Sequence, residues 1–168
     1  MQPSASYWID TLQLIRHIEG GSYTSTYTAA LMLPKEQLPA SFHGPRPAST
    51  AIYFLLDKHQ FSAMHRIAAD EVWHFYYGGP LQVYEIDTAG QLTKHLLGNN
   101  PANNESFQCV VKAGSWFGAI TAPGTEYSLV GCTVAPGFHF DDFELADRAT
   151  LLQQFPQHAA IIQALTRI

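Results

Sequence analysis

Charged side chains are scarce in this chain of 168 residues, because only 14% of them are Asp, Glu, Lys or Arg. Nine are Lys or Arg, none of these is clustered, and the net charge is −5 with neutral histidines. Proteins that bind nucleic acid present grouped cationic side chains to the phosphates. The composition therefore argues against a nucleic-acid partner.

Long apolar runs are also missing. No segment approaches the ~18 continuous apolar residues of a membrane-spanning helix. Residues 1–4 lack the basic region and apolar stretch that begin a signal peptide. We expect a cytoplasmic protein without a membrane partner.

Cysteine occurs only twice, as Cys109 and Cys132, each inside an apolar, strand-like run. The pair lacks the close spacing of a zinc site. Buried free thiols in a reducing compartment are the favoured interpretation, and a disulfide between the two is the less favoured alternative.

Hydrophobic residues make up 46% of the chain and aromatic residues 12%. This composition is typical of a compact globular protein, and the length suits one domain with a substantial core. We predict a single domain over residues 1–168. An N-terminal helix, extended strand and loop (1–48) precede a β core (49–146), and short helices follow it (147–168).

The predicted core contains about eight short strands that end in Gly, Pro, Asn or other polar turn residues. Their expected ranges are 49–56, 61–67, 72–77, 81–86, 92–97, 106–111, 116–120 and 127–134. Because no helical pattern separates these strands, the sequence predicts an antiparallel sandwich or barrel.

Outside the core, helical spacing of apolar residues predicts a helix over 4–16 and two more on either side of Pro156. The segment 22–33, rich in Thr and Tyr, predicts an extended strand at an edge or an interface.

The most informative motif is the run from His65 to Gly78. His65 and Glu71 lie six residues apart in a β-type segment, and both are expected to point into a barrel. An imidazole and a carboxylate there can hold a metal ion or move a proton. Strict alternation puts His74 on the opposite face from Glu71, unless a bulge near Asp70 changes the register.

Several stretches together resemble an uncharacterised subfamily of the cupin superfamily. They are 17–21 (HIEGG), 49–56, 65–66, 70–75, 114–119, 129–138 and 142–145. The resemblance implies an all-β fold with short terminal helices, a double-stranded β-helix or jelly roll, and an assembly of two or more copies. It implies no settled activity. The nearest chemically understood relatives in the superfamily are the nucleotide-sugar 3,5-epimerases.

A metal-binding cupin takes two His and a Glu from its first motif and a third His from its second. His65 and Glu71 match the first His and the Glu, whereas Ile67 and Phe117 stand at the other two positions. The ligand set for a divalent metal is therefore incomplete, and no cofactor is implied with certainty.

We predict a pocket centred on His65 and Glu71 as catalytic residues. The expected ligand-binding residues are Trp73, His74, Gln108, Trp116, Tyr53 and Tyr84. In the first hypothesis, His65 moves a proton on a small polar, carbohydrate-like molecule, as an isomerase or epimerase does, and Glu71 sets its tautomer. Tyr53 or Tyr84 would donate the second proton.

Two further functions remain open. One is a non-catalytic binding module, a sensor or storage cupin. The other is a metalloenzyme in which His65, Glu71 and a third ligand hold the metal. Glu19, before two glycines, is interpreted as part of a structural turn.

Overall fold

A computed structural model describes residues 3–167. Its helices are α1 (Ala5–Thr11), α2 (Arg148–Gln154) and α3 (Ala159–Ala164), with 3-10 turns at Lys35–Gln37, Pro101–Asn103, Phe140–Asp142 and Pro156–His158. Its strands are β1 (Ile15–Arg16), β2 (Ser22–Thr28), β3 (Met32–Leu33), β4 (Arg46–Pro47), β5 (Thr50–Asp57), β6 (Phe61–Arg66), β7 (Asp70–Gly78), β8 (Leu81–Ile86), β9 (Leu92–Leu97), β10 (Gln108–Val111), β11 (Trp116–Thr121), β12 (Tyr127–Ala135) and β13 (Glu144–Leu145).

Two antiparallel sheets face each other and form a jelly roll. One has the strand order β1-β2-β5-β12-β7-β10, and the other has the order β13-β6-β11-β8-β9. The predicted all-β fold with short terminal helices is confirmed. The eight core strands match β5 to β12 within a few residues at each end.

The inner faces of both sheets supply the central core. Alternation along β7 turns Trp73 and Phe75 inward, where they pack with Phe54 and Phe117. Aromatic and aliphatic side chains together fill the space between the sheets, except for one part that stays open.

Helices cover parts of the outer faces. The C-terminal helices α2 and α3 place Leu151 and Ile162 against Met64 of β6. The N-terminal helix α1 covers Leu55 of β5 on the opposite sheet. The predicted helix over 4–16 is shorter than expected, since Gln13 takes a positive φ of 53° and the chain then enters β1.

The Thr-rich segment pairs with strands of its own chain. Strand β2 pairs with β5 over Ser22–Thr28, and the shorter β3 pairs with β4. On its other edge β2 pairs with β1 only at Ser22 and Tyr23 within residues 3–167, so the rest of the strand lies at the edge of the sheet, as predicted. No helix within residues 3–167 is long and apolar enough to cross a membrane.

Candidate functional site

A cavity of about 230 Å³ lies between the sheets. Strands β2, β5 and β12 form one wall, β6 and β7 contribute His65 and Glu71, and the loops before β2 and after β12 close the ends. Both predicted catalytic residues thus reach one cavity, with 3% and 8% of their surfaces exposed.

His65 is held by its own strand. Its Nδ1 lies 2.8 Å from the carbonyl oxygen of Ala63, which only an N–H donor satisfies. This contact fixes the tautomer with Nδ1 protonated, so a neutral ring keeps its lone pair on Nε2. Phe117, the Cα partner of His65 on β11, packs its ring 4.1 Å from the imidazole centroid.

The carboxyl group beside His65 belongs to Glu19, not to Glu71 as predicted. Oε2 of Glu19 lies 3.1 Å from Nε2 of His65, and Oε1 accepts a hydrogen bond of 2.9 Å from the hydroxyl of Ser62. His17 stands behind it, with Nδ1 3.6 Å from the same Oε2. The site is therefore a chain of ionisable groups, His17, Glu19 and His65, along one side of the cavity.

Burial sets the protonation of this chain. Desolvation lowers the pKa of His17 and of His65, and it raises the pKa of Glu19 to about 7. A neutral imidazole beside a carboxyl group that titrates near neutrality can share one proton with it. The pair is thus suited to accept or release a proton at physiological pH.

Glu71 is a second buried carboxyl group. Desolvation raises its pKa to about 7, with His65 opposing that rise and Glu19 adding to it. The indole N–H of Trp73 lies close enough to lower the pKa of Glu71, yet it makes no hydrogen bond of normal geometry. Cys132 of β12 lines the cavity beside them, and burial raises the pKa of its thiol well above the usual value. Both cysteines are free.

Trp73 lies below the cavity. It is 1% exposed and packs at the centre of the core, next to Glu71 on the inner face of β7. It supports the site and does not line it.

The other predicted ligand-binding residues lie elsewhere, because each points to the outer face of its sheet. His74 bonds Thr133 and Gln108 on the outside of the six-stranded sheet, where Tyr53 packs against Tyr76. His74 faces away from Glu71, as alternation predicts, and none of these three side chains lines the cavity as predicted.

Trp116 and Tyr84 are covered on the outside of the five-stranded sheet. Both pack against the cluster beneath α2 and α3, and Arg66 lies over the Trp116 ring at 4.5 Å. Neither residue reaches the cavity. The alternation of side chains along a strand does not show that the outer face of this sheet is apolar. That face is apolar because α2 and α3 cover it.

Sequence reasoning missed His17, Glu19 and Tyr23 as cavity residues. They precede the core strands and reach the site only because β2 joins β5. One signal was present: Glu19 stands before Gly20 and Gly21 in the stretch 17–21 that carries part of the family resemblance.

The residues around His65 do not fit a cupin metal centre. Ile67 lines the cavity as an apolar side chain, Phe117 is fully buried against the imidazole, and Nδ1 of His65 is committed to a backbone carbonyl. Within residues 3–167, no three or more His, Cys, Asp or Glu side chains are grouped as metal ligands.

A jelly roll whose inner faces carry a His and a Glu around a cavity is an architecture of the cupin type. Residues 6–146 match the family model described as "Cupin superfamily (DUF985)", and the chain belongs to that family. Comparison with curated proteins gives no match.

Two solved structures resemble the chain over nearly its whole length. A hypothetical protein from Leishmania major is 33% identical, with a TM-score of 0.90 and coverage of 99% of this chain and 100% of that one. A protein from Shewanella oneidensis is 40% identical, with a TM-score of 0.88 and coverage of 99% of each chain.

A more distant structure shares the fold alone. Oxalate decarboxylase from Bacillus subtilis is 14% identical, with a TM-score of 0.54, and the match covers 89% of this chain and 36% of that one. This likeness agrees with the jelly-roll architecture.

Proposed function

We propose that this protein is a metal-independent enzyme that moves a proton on a small polar, carbohydrate-like molecule, in the manner of an isomerase or epimerase. The observation that carries the proposal is the buried His65–Glu19 pair, with 3.1 Å between Nε2 and Oε2, facing a cavity between the sheets. Such a pair can act in general acid–base catalysis without a metal ion.

The chemistry follows from the fixed tautomer. With Nδ1 held by Ala63, Nε2 of His65 is the basic atom, and it removes a proton from a carbon beside a carbonyl group. Glu19 contacts the same Nε2, so the proton passes directly between Nε2 and Oε2 of Glu19 and not across the ring. The Glu19 pKa of about 7 matches that of a working acid or base.

A second proton needs a donor from another side of the ligand. Tyr53 and Tyr84 face away from the cavity, whereas Tyr23 of β2 lines it from the opposite sheet and packs edge-on against His17 at 4.6 Å. Tyr23 therefore replaces them as the proposed donor.

The first prediction concerns hydrogen exchange. Incubation in D₂O with a panel of aldoses, ketoses and amino sugars should wash out a C–H signal beside the carbonyl of at least one compound. His65→Gln and Glu19→Gln should each slow that exchange at least about 100-fold, the usual contribution of a general acid or base. Proton NMR measures the signal loss.

His95→Gln is the matched control for this experiment. Its Nε2 lies 3.0 Å from Glu85 Oε2, a similar His–Glu pair that does not line the cavity. Exchange at the normal rate in His65→Gln, with the control unchanged, would contradict the proposed base.

A binding module without turnover is the second candidate. The observation that favours it is the replacement of two family ligand positions by the apolar residues Ile67 and Phe117. A compound that binds in the cavity but shows no exchange in D₂O would support this candidate over the enzyme.

We also propose that two copies of the chain associate. The supporting feature is an exposed apolar patch on and beside the β7–β10 edge, where Tyr76, Phe107 and Val110 are 49%, 56% and 39% exposed. Light scattering at micromolar concentration should give twice the chain mass of 18.6 kDa. Phe107→Glu should lower the measured mass toward that of a single chain, whereas Leu92→Glu on the other sheet should leave it unchanged. A monomer mass for the unchanged protein would remove the proposal.

A further inference from the structure

We propose that the natural ligand of the cavity carries a cationic nitrogen, as a small amine or quaternary ammonium compound does, and that Glu71 is its counter-ion. The inference rests on the proposed function only in taking this cavity as the ligand site. Proton transfer by His65 is not required for it.

The charge of the cavity wall is the first argument. Glu19 and Glu71 both line the wall, and no Lys or Arg is among the described residues that do so. The three histidines of the wall include His17 and His65, whose pKa values burial lowers. An anionic ligand would meet two carboxyl groups, of which Arg167 offsets only Glu19 through its charge, from outside the wall.

Among the described residues, Glu71 also lacks a charged partner or a backbone donor. Buried carboxyl groups in proteins are almost always paired or hydrogen-bonded. Glu85 approaches His95 and accepts the N–H of Lys112, while Glu105 accepts the N–H of Asn100. Glu71 is equally buried, and the donors close enough to act on it are the thiol of Cys132 and the indole N–H of Trp73. Within residues 3–167 it forms no hydrogen bond with a backbone amide or hydroxyl and no ion pair with a Lys or Arg side chain.

Elsewhere in this chain, a buried carboxyl group is paired with an arginine. Asp142 is bound through both oxygens by Arg46, at 2.5 and 2.6 Å, and its pKa is held below the usual range. Glu71 lines the cavity, and within residues 3–167 no guanidinium pairs with it. A cation delivered by the ligand would fill that position and restore the ionised form of the carboxyl group.

Aromatic rings supply the third argument. Tyr23, Phe54, Phe138 and Phe140 line the same cavity, and the rings of Phe138 and Phe140 meet edge to face at 5.0 Å between centroids. Ring faces attract ammonium groups, and rings combined with a carboxylate are the usual environment for quaternary ammonium recognition. The wall therefore matches a nitrogen cation in both charge and polarisability.

The test compares ligands that differ only in charge, on the unchanged protein. Choline is paired with its uncharged analogue 3,3-dimethyl-1-butanol, glucosamine with glucose, and tetramethylammonium serves as the smallest cation. Titration calorimetry in phosphate buffer at pH 8, free of amine buffers, should show at least one cation binding about tenfold or more tighter than its uncharged partner.

Glu71→Gln should abolish that preference, because the neutral amide keeps the shape and loses the charge. Glu126→Gln, which removes an exposed carboxyl group paired with Lys58, should keep it. If the Glu71 variant fails to fold, the comparison of charged and uncharged ligands on the unchanged protein still decides.

Equal or tighter binding of the uncharged partners, or no binding of any cation at millimolar concentration, would overturn the inference. Deuterium exchange on a neutral sugar together with that result would leave the proposed function standing. Cation binding without deuterium exchange on any compound would support the cationic ligand and contradict the proposed proton transfer.

Discussion

At pH 8, Glu71→Gln should raise the free energy of unfolding by about 3 kcal/mol. The carboxyl group has a pKa of about 7 in the folded protein and 4.5 as its ordinary value. Between those values the folded state binds more protons than the unfolded state, so stability falls as the pH rises. A shift of about 2.5 units at about 1.36 kcal/mol each gives the stated size.

The pH dependence distinguishes this effect from a general change in packing. At pH 5 the carboxyl group is protonated and resembles the amide, so the variant and the unchanged protein should be similar in stability. Thermal melts in phosphate buffer from pH 5 to 8 should therefore diverge steadily, by about 6–10 °C at the upper end. Parallel curves would show that Glu71 ionises normally, and Glu126→Gln should follow the unchanged protein throughout.

Gly20→Ala should cost about 3 kcal/mol or more and should also displace Glu19. Gly20 has a φ of +118°, and a Cβ there would overlap the backbone carbonyl oxygen of Phe61. The added methyl group thus meets both an unfavourable backbone conformation and a fixed neighbour in β6. Urea unfolding measures the loss, and deuterium exchange should fall with it.

Gly124→Ala is the matched control for this substitution. Gly124 also has a positive φ, +81°, but a Cβ there would meet nothing within 4 Å. Gly124→Ala should lower the free energy of unfolding only by the cost of placing a Cβ in a left-handed backbone conformation, about 1 kcal/mol. Equal losses in the two variants would mean that the close approach to Phe61 carries no energetic weight.

Local patterns were sufficient to predict the core strands and the shared orientation of His65 and Glu71. Turn residues ended β8 and β9 where expected, and alternation along β7 assigned its side chains to the correct faces. Both signals act over a few residues, so a single sequence contains them.

The rest of the site depends on contacts between distant segments. Glu19 meets His65 because β2 joins β5 and because Ala63 donates its N–H to the carbonyl of Glu19. Tyr53 was predicted to face the ligand, although Ile52 and Phe54 on either side of it line the cavity instead. Which side of an apolar strand faces the cavity is decided by the partner sheet, and no local signal reports it.

Trp73 is positioned to act as an intrinsic fluorescent probe of the cavity. Its indole is buried and lies close enough to the Glu71 carboxyl group to affect the pKa of that group. The two other tryptophans are in different clusters: Trp8 is part of α1, and Trp116 packs beneath α2 and α3. A charge appearing beside an indole shifts its emission energy. The fluorescence of Trp73 should therefore change with the charge of Glu71, so cavity occupancy can be followed in the unlabelled protein.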